Sequence, residues 1–370
     1  MPKAEMHALF ERLLASAGRP VDAMLGLSLS HSPVLGDFLA DLDPNLSLDW
    51  NGQSFQGLPS LREAVIRSGT HGPCTPSDVL ITAGAAEANY LAIMQTVGPG
   101  DRVVTDRPGW PQVGVLAKAI GAELVEVRRD ESDGWSLDLS RLEEAARGAR
   151  MVFLTNPSNP TGRHMGAEEM QALAAIADRT GAWMLVDEVY AGLEWDRPRA
   201  PSIAALTQRG IATGSVSKAL GLQGLRTGWL ICRDPGLVMD AVIRRENGSE
   251  IMNVLGEHIA EIALRPDRLA AALDTARAEA LEALATLDAF VRAQPRLSWH
   301  PPEAGLIGLA RYDGNADTLA DTLLDAGTFV FPGSVYGMPR HLRLGVGGGP
   351  GAGLETGLDR LAAALAPHPS

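Results

Sequence analysis

Seven short apolar runs, separated mostly by alanine-rich amphipathic stretches, constrain the fold of this chain more than any other feature. The runs occupy residues 78–82, 102–106, 122–127, 150–155, 182–187, 211–216 and 228–232. Such alternation predicts βα units and hence a mainly parallel sheet with helices on both faces. The last two runs lie too close together for a full helical crossover, so an antiparallel neighbour is expected there. We therefore predict an α/β fold built on a seven-stranded, mainly parallel sheet.

Both ends of the chain predict further structure. The N-terminus has apolar residues at helical spacing, and a loop-rich segment follows. An amphipathic pattern over residues 266–294 predicts one long helix that links two lobes. Later strand-like runs, with helices from Ala316 and Leu354, predict a smaller α+β lobe. We expect an N-terminal segment (1–45) that packs on the small lobe or at an interface, a large domain (46–265) that carries the main sheet, and a small C-terminal domain (266–370).

Composition excludes several classes of function. The chain has 370 residues, of which 45% are apolar. Because this length exceeds what one hydrophobic core usually organises, we expect two lobes. Its formal net charge of −13 argues against a nucleic-acid-binding surface. Cys74 and Cys232 are too few and too far apart for a disulfide framework or a metal cluster. The chain has no secretory-type N-terminus and no apolar run near the ~20 residues that span a bilayer. We expect a cytoplasmic protein that binds neither membranes nor metals.

The stretch GSVSKALGLQGLRTG, residues 214–228, carries a candidate reactive amine. Lys218 has no acidic neighbour at helical spacing and lies among small and apolar residues, which suits an amine that must react. The hydroxyls of Ser215 and Ser217 and the guanidinium of Arg226 are donors that suit a phosphate. For this stretch alone, a glycine-rich turn with a surface lysine is an equal alternative.

Two further stretches follow strand-like runs. Residues 82–87, TAGAAE, pass from a strand into a helix, whose free N–H groups can bind an anion. Trp110, in RPGWP, comes directly after a strand and could stack on an aromatic ligand. The first pattern is weak on its own, because many strand-to-helix turns carry glycine and alanine. For Trp110, a tryptophan that covers the core is an equal alternative.

Two more stretches carry polar groups at strand ends. In NPSNPTGR, residues 156–163, the prolines favour extended conformations at Asn156 and Asn159 and so hold two amides in place. In VDEVY, residues 186–190, Asp187 ends an apolar strand and needs a positive partner, such as a protonated heterocyclic nitrogen. Tyr190 can reach the same ligand. A surface carboxylate and a core tyrosine would be favoured if this stretch stood alone.

In order and spacing, these motifs resemble a known family. NPSNPTG is followed by DEVY, then by SVSK, and Arg226 lies eight residues after the lysine. Three linked motifs are much harder to obtain by chance than one. Over roughly residues 25–365, the chain resembles the fold-type-I pyridoxal-phosphate enzymes of the class I/II aminotransferase family.

The resemblance implies roles around pyridoxal 5′-phosphate. Lys218 would bind the cofactor aldehyde covalently and later move the proton of the substrate Cα. Asp187 would keep the pyridine nitrogen protonated, so that the ring acts as an electron sink. Asn159 and the catalytic Tyr190 would form hydrogen bonds with the ring hydroxyl, and Trp110 would stack on the ring. The phosphate would be held by Gly84, Ala85, Ala86, Ser215, Ser217 and Arg226.

Substrate contacts are implied as well. The run HLRLGV resembles the family's strand that carries the arginine for the substrate carboxylate, which here would be Arg343. The alternative, that Arg343 is a surface arginine on a strand, is disfavoured. Asn159 and Trp110 would also border the substrate. His31 lies in a segment that covers the substrate in relatives and is a candidate acid or base, with an exposed loop histidine as the equal alternative.

The chain also departs from the family pattern. Ala85 and Ala86 stand where relatives commonly have a serine or threonine at the phosphate. Trp50 or Phe55 would fill the place of a tyrosine by which the partner subunit reaches the phosphate, but neither carries a hydroxyl. Ser28, Ser30, His31 and Ser32 replace a glycine-rich turn over the substrate.

The resemblance implies an aminotransferase that moves an amino group from an amino acid to a 2-keto acid. The departures keep an alternative open: a lyase, a replacement enzyme, a decarboxylase, or an O₂-using oxidase or cyclase on the same fold. A regulatory domain that only senses the cofactor is disfavoured, because no basic DNA-binding segment accompanies it. By analogy with the family we expect a homodimer.

Overall fold

The computed structural model describes residues 8–49, 54–347 and 353–366. Its strands are β1 (Ala23–Met24), β2 (Val79–Thr82), β3 (Arg102–Arg107), β4 (Glu123–Arg128), β5 (Met151–Thr155), β6 (Trp183–Asp187), β7 (Gly210–Ser215), β8 (Gly228–Cys232), β9 (Leu297–Trp299), β10 (Ile307–Tyr312), β11 (Thr328–Phe329), β12 (Phe331–Pro332) and β13 (His341–Gly345). Its helices are α1 (Ala8–Ser16), α2 (Pro59–Ser68), α3 (Ala85–Thr96), α4 (Gln112–Ile120), α5 (Leu139–Ala146), α6 (Ala167–Thr180), α7 (Ile203–Leu206), α8 (Pro235–Arg245), α9 (Val254–Ala263), α10 (Pro266–Ala293), α11 (Ala316–Asp325) and α12 (Leu354–Leu365).

The seven apolar runs form one sheet, as predicted. Its strand order is β2-β8-β7-β6-β5-β3-β4. Strand β8 is antiparallel to both β2 and β7, and the other neighbours are parallel. The antiparallel pairing therefore falls where the short connection between the last two runs required it.

Helices cover both faces of this sheet. Because side chains alternate along a strand, Val79 and Ile81 of β2 lie in one buried cluster and Leu80 lies in another. The first cluster includes residues of α2, α6 and α9, and the second includes residues of α3, α4 and α8. Both faces are thus buried, which explains why the strands have continuous apolar runs rather than alternating ones.

The register of the large sheet brings polar residues together at one edge. Thr155, Asp187 and Thr213 are paired neighbours across β5, β6 and β7. On the other side of β7, Ser215 pairs with Gly228 of β8, which in turn pairs with Thr82 of β2. Since β8 runs in the opposite direction, its first residue lies where the parallel strands end.

A smaller lobe has its own sheet and core. Strands β12, β13, β10 and β9 form an antiparallel sheet in that order, and β1 pairs with β11 in parallel. The run TFVFP, residues 328–332, is divided between the two sheets because β11 pairs with β1 whereas β12 pairs with β13. The division into domains at residues 45 and 265 stays a prediction.

The predicted long helix is α10. It buries one side, formed by Leu273, Ala276, Ala280, Leu287 and Val291. In the described ranges, neither this helix nor any other has the length and apolar character needed to cross a membrane.

The two lobes meet closely at Gly162. Its carbonyl accepts hydrogen bonds from the backbone N–H groups of Glu303 at 2.9 Å and Ala304 at 3.2 Å. A Cβ at Gly162 would lie 2.3 Å from the Cβ of Pro302 and 2.5 Å from the carbonyl oxygen of Ile307. Glycine is therefore required here both for its φ of 69° and for space.

We predict that Gly162→Ala destabilises the protein more than Gly148→Ala. Gly148 has a similar φ of 72°, but nothing lies within 4 Å of a Cβ built there. Both substitutions place an L-residue in the left-handed region at about 1–2 kcal/mol, and overpacking adds about 1–3 kcal/mol at Gly162 alone. Denaturant unfolding of the two variants measures the difference. Equal losses would show that the lobes do not pack tightly at this point.

Candidate active site

Lys218 lies just beyond the end of β7, at the polar edge of the large sheet. Its side chain is half-buried, with Nζ 3.3 Å from Ser28 Oγ and 6.0 Å from the centre of the Tyr190 ring. Among the residues that the structure describes, no carboxylate forms an ion pair with this amine. The amine is thus held near an aromatic ring and a hydroxyl rather than neutralised by an acid.

Asp187 is the last residue of β6 and is only 5% exposed. Its Oδ2 accepts a hydrogen bond from Asn89 Nδ2 at 2.8 Å, and its Oδ1 accepts one from the Val189 N–H at 3.1 Å. Burial raises the pKa of the Asp187 carboxyl, although these hydrogen bonds and the charge of Lys218 act in the opposite direction. A nearby cation at this position would stabilise the carboxylate.

Sequence reasoning missed Asn89, the fixed partner of Asp187. Asn89 lies in α3 and is 1% exposed. Its Oδ1 accepts a hydrogen bond from Thr213 at 2.8 Å, while Nδ2 also donates to Gln112 at 3.2 Å. Because the Thr213 hydroxyl fixes the orientation of the amide, its N–H points at the carboxylate. The available signal was an asparagine on the otherwise apolar face of a helix.

The start of α3 forms a cradle with backbone donors. Gly84 is the N-cap, with φ of 82°, and the helix begins with Ala85 and Ala86, whose first N–H groups have no intrahelical partner. Ser217 is buried, and its N–H donates to Ser215 Oγ at 3.2 Å. Because of the register of β2, β8 and β7, these groups lie at one place, suited to an anion.

Arg226 closes the cradle from the β8 side. It has φ of 52°, and its Nη2 donates to the carbonyl of Ala83 at 3.2 Å. A Cβ on Gly84 would lie 2.6 Å from this Nη2. Arg226 is exposed and forms no ion pair within the described ranges, so its guanidinium remains able to bind a phosphate.

The two asparagines of the NPSNPTGR loop have different surroundings. Asn156 Nδ2 donates to the Met165 carbonyl at 3.0 Å and Asn156 Oδ1 accepts from the Met165 N–H at 2.9 Å, so this amide holds the loop together. Asn159 Oδ1 instead lies 3.4 Å from Nη1 of Arg343. Only Asn159 points towards the other candidate site residues.

Arg343 lies on β13 and is 3% exposed. Its Nη1 donates to the Tyr336 hydroxyl at 2.8 Å, and its Nη2 donates to the Gly26 carbonyl at 2.8 Å. The guanidinium also lies 4.4 Å from the centre of the Phe331 ring. In the described part of the chain no acid pairs with Arg343, and Nε is buried without a partner. A buried cation in these surroundings favours an anionic ligand.

Tyr190 and Trp110 are the two aromatic candidates for cofactor contacts. Tyr190 is 2% exposed, and its hydroxyl has no hydrogen-bond partner among the described residues. Trp110 is half-buried and packs at the margin of two apolar clusters, with Nε1 3.3 Å from Gln112 Oε1. Gln112 also contacts Asn89, so Trp110 is connected to the partner of Asp187.

The N-terminal segment approaches Lys218 through serine rather than histidine. Ser28 contacts the amine, and the Ser30 N–H donates to the Lys218 carbonyl at 3.1 Å. The His31 side chain is exposed, and its backbone carbonyl packs against Gly221. Of the two residues expected in the place of the partner-subunit tyrosine, Phe55 is 40% exposed and Trp50 lies outside the described residues.

The residues present fit pyridoxal phosphate, the cofactor that the resemblance implies. The cradle at Gly84 suits the phosphate, and buried Asp187 suits a protonated ring nitrogen. The unpartnered Tyr190 hydroxyl is a donor for a ring oxygen, and the half-buried Lys218 amine can react with an aldehyde. Each of these groups has a matching group on this single small molecule.

Comparisons with known proteins agree with this geometry. The chain is 26% identical to an aspartate aminotransferase of Streptomyces avermitilis over 78% of this chain and 75% of that one. It is 29% identical to the capreomycidine synthase of Streptomyces vinaceus over 91% and 88% of the two chains. A PLP-dependent aminotransferase structure from Streptococcus suis 89-1591 superposes with a TM-score of 0.89 at 26% identity, covering 98% of each chain.

A model of the family "Aminotransferase class I and II" matches residues 50–361, which is most of the chain. The aminotransferase fold of the Streptococcus suis structure extends over the same region. The chain therefore belongs to the class I and II aminotransferase family of fold-type-I enzymes, and its cofactor is pyridoxal phosphate.

Proposed function

We propose that the protein is an aminotransferase that takes the amino group of an α-amino acid and passes it to a 2-keto acid. The observation that supports this most strongly is Arg343, a buried guanidinium without an acidic partner among the described residues. Its Nη1 lies 3.4 Å from Oδ1 of Asn159, in the loop that follows β5 at the end of the large sheet where Asp187 ends β6. A carboxylate bound there would place the amino acid beside the reactive amine.

The bound cofactor would supply an electron sink for the pair released at the substrate Cα. In this proposal, the Lys218 amine would hold the cofactor until the substrate amine displaces it, and the freed amine would then take the Cα proton as a general base. Asp187 keeps the ring nitrogen protonated, since a buried carboxylate is stabilised by an adjacent positive charge. Asn89 holds Asp187 in place through its amide N–H.

The remaining residues orient the two molecules. Arg343 would bind the substrate carboxylate beside Asn159. Asn159 and Tyr190 would hydrogen-bond to the ring hydroxyl, and Trp110 would stack on the ring. Arg226, Ser215, Ser217 and the backbone of residues 84–86 hold the phosphate without a hydroxyl from Ala85 or Ala86. His31 as a substrate contact stays a prediction from the sequence, and its side chain is exposed in this chain. A homodimer and a cytoplasmic location stay predictions from the sequence.

A second candidate function is a cyclase or lyase acting on an amino acid with a leaving group. The similarity to capreomycidine synthase over 91% of this chain favours it. Two departures from the family pattern also favour this candidate: the serines of residues 28–32, and Ala85 with Ala86. Changed contacts to substrate and cofactor can change which bond breaks. In such an enzyme the same residues would bind cofactor and substrate, and no keto acid would be consumed.

A half reaction separates the two candidates. An amino donor added without keto acid should convert the visible absorbance of the bound cofactor to that of the pyridoxamine form, in one equivalent. A 2-keto acid should then restore the first spectrum. Release of ammonia, or a cyclic product without this conversion, would exclude transamination in favour of the second candidate.

We predict that Gly84→Ala lowers cofactor affinity at least about tenfold, whereas Gly100→Ala does not. Both glycines have φ near 80°, at 82° and 83°, but only a Cβ at Gly84 would meet the guanidinium of Arg226. A side chain at a positive φ costs roughly 1–3 kcal/mol in either variant, so only a loss of affinity beyond that of Gly100→Ala reports on the cradle. Titration of the cofactor-free proteins with pyridoxal phosphate measures it. Unchanged cofactor affinity of Gly84→Ala would show that the phosphate does not bind beside Gly84.

We predict that Arg343→Gln weakens binding of the amino acid about 10- to 150-fold, because a charge-assisted hydrogen bond contributes about 1.5–3 kcal/mol. Cofactor content should stay unchanged. Arg340→Gln is the matched control, since Arg340 is exposed and lies three residues earlier. Spectral titration with amino acid gives both dissociation constants. If the Arg340 variant lost as much affinity as the Arg343 variant, the carboxylate would not bind at Arg343.

A further inference from the structure

The N-terminal segment, residues 26–31, connects the two groups that the substrate would touch. Its Gly26 carbonyl accepts the 2.8 Å hydrogen bond from Arg343 Nη2. Four residues later, the Ser30 N–H donates to the Lys218 carbonyl at 3.1 Å. Backbone contacts thus fix the segment at both ends, beside the guanidinium and beside the lysine.

Ser28 lies between these two fixed points. Its side chain is 9% exposed, and its Oγ lies 3.3 Å from Lys218 Nζ. Within the described ranges this hydroxyl is the hydrogen-bond partner of the amine, and no carboxylate competes for it. The position of the free amine in the pocket therefore depends on Ser28.

A hydroxyl suits an amine that must change its protonation state. It accepts a hydrogen bond from the ammonium form and donates one to the lone pair of the neutral form. A carboxylate would favour the ammonium form alone, whereas a hydrocarbon would leave either form without a partner. A serine contact can therefore persist while the amine takes up and releases a proton.

We propose that Ser28 is a positioning residue for proton transfer by Lys218. This rests on the proposed function, in which Nζ takes the substrate Cα proton. The C–H bond breaks as the N–H bond forms, and the electron pair remains on the substrate side. Ser28 holds the amine in the orientation from which this transfer occurs and does not itself exchange the proton with substrate.

The test compares Ser28→Ala with Ser28→Thr and with the matched control Ser32→Ala. Ser32 is exposed and lies in the same part of the chain. With a Cα-deuterated amino acid, Ser28→Ala should slow the half reaction about 10- to 100-fold and should increase the isotope effect. This is less than the ~10²–10⁴-fold that a general base itself contributes, because the Lys218 amine remains. KM should change little. Ser28→Thr should restore most of the rate, and Ser32→Ala should match the wild type.

Crystal structures of the cofactor-free proteins give a readout that is independent of activity. The Lys218 side chain should have one ordered position in the wild type and in Ser28→Thr, and several positions in Ser28→Ala. An ordered amine in Ser28→Ala with an unchanged rate and isotope effect would overturn the role of Ser28. Equal loss of rate in the alanine and threonine variants would overturn it too, by showing a packing defect.

Failure of the proposed function itself is recognised separately. Borohydride treatment of the wild-type protein with cofactor should fix the cofactor on Lys218, as shown by peptide mass mapping. Its absence would exclude the lysine chemistry for every variant. A wild type that is labelled and active, with an unaffected Ser28→Ala variant, would contradict only the proposal for Ser28.

Discussion

The buried carboxylate of Asp187 is the constraint on which the rest of the site depends. An ionised acid inside a protein is costly without a partner, and burial raises the pKa of this one despite two hydrogen bonds. Asn89 and Thr213 form a fixed polar chain behind it. The fold thus holds a buried acid in place, and in the proposed function a protonated pyridine nitrogen would be its partner.

The reversed direction of β8 gives the site its second half. The parallel strands β5, β6 and β7 deliver Thr155, Asp187 and Lys218 to one edge of the sheet. Because β8 returns antiparallel between β7 and β2, Arg226 reaches the start of α3 beside Gly84. Backbone pairing therefore brings Arg226 and Gly84, which are proposed for the phosphate, to the same end of the sheet as Asp187, which is proposed for the ring nitrogen.

The sequence alone was sufficient to predict the features whose residues lie close together along the chain. The seven strands, the antiparallel return and the family followed from local runs and from linked motifs. Asn89 could not be recognised in this way, because its contacts Asp187 and Thr213 lie 98 and 124 residues away. The contact between Ser28 and Lys218 spans 190 residues. Asn156 and Asn159 both precede a proline, and only their tertiary contacts, with Met165 for the first and Arg343 for the second, distinguish them.

The most direct test of the central claim is ¹⁵N NMR of the protein bound to pyridoxal phosphate labelled at the ring nitrogen. If Asp187 holds that nitrogen protonated, the wild type should give the chemical shift of a protonated pyridine at neutral pH, and Asp187→Asn should give that of the unprotonated ring. The Asp133→Asn variant, which changes an acid in the 3-10 turn after β4, should match the wild type. An unprotonated nitrogen in the wild type, or the same shift with and without the Asp187 carboxylate, would contradict the assignment of Asp187 as its partner.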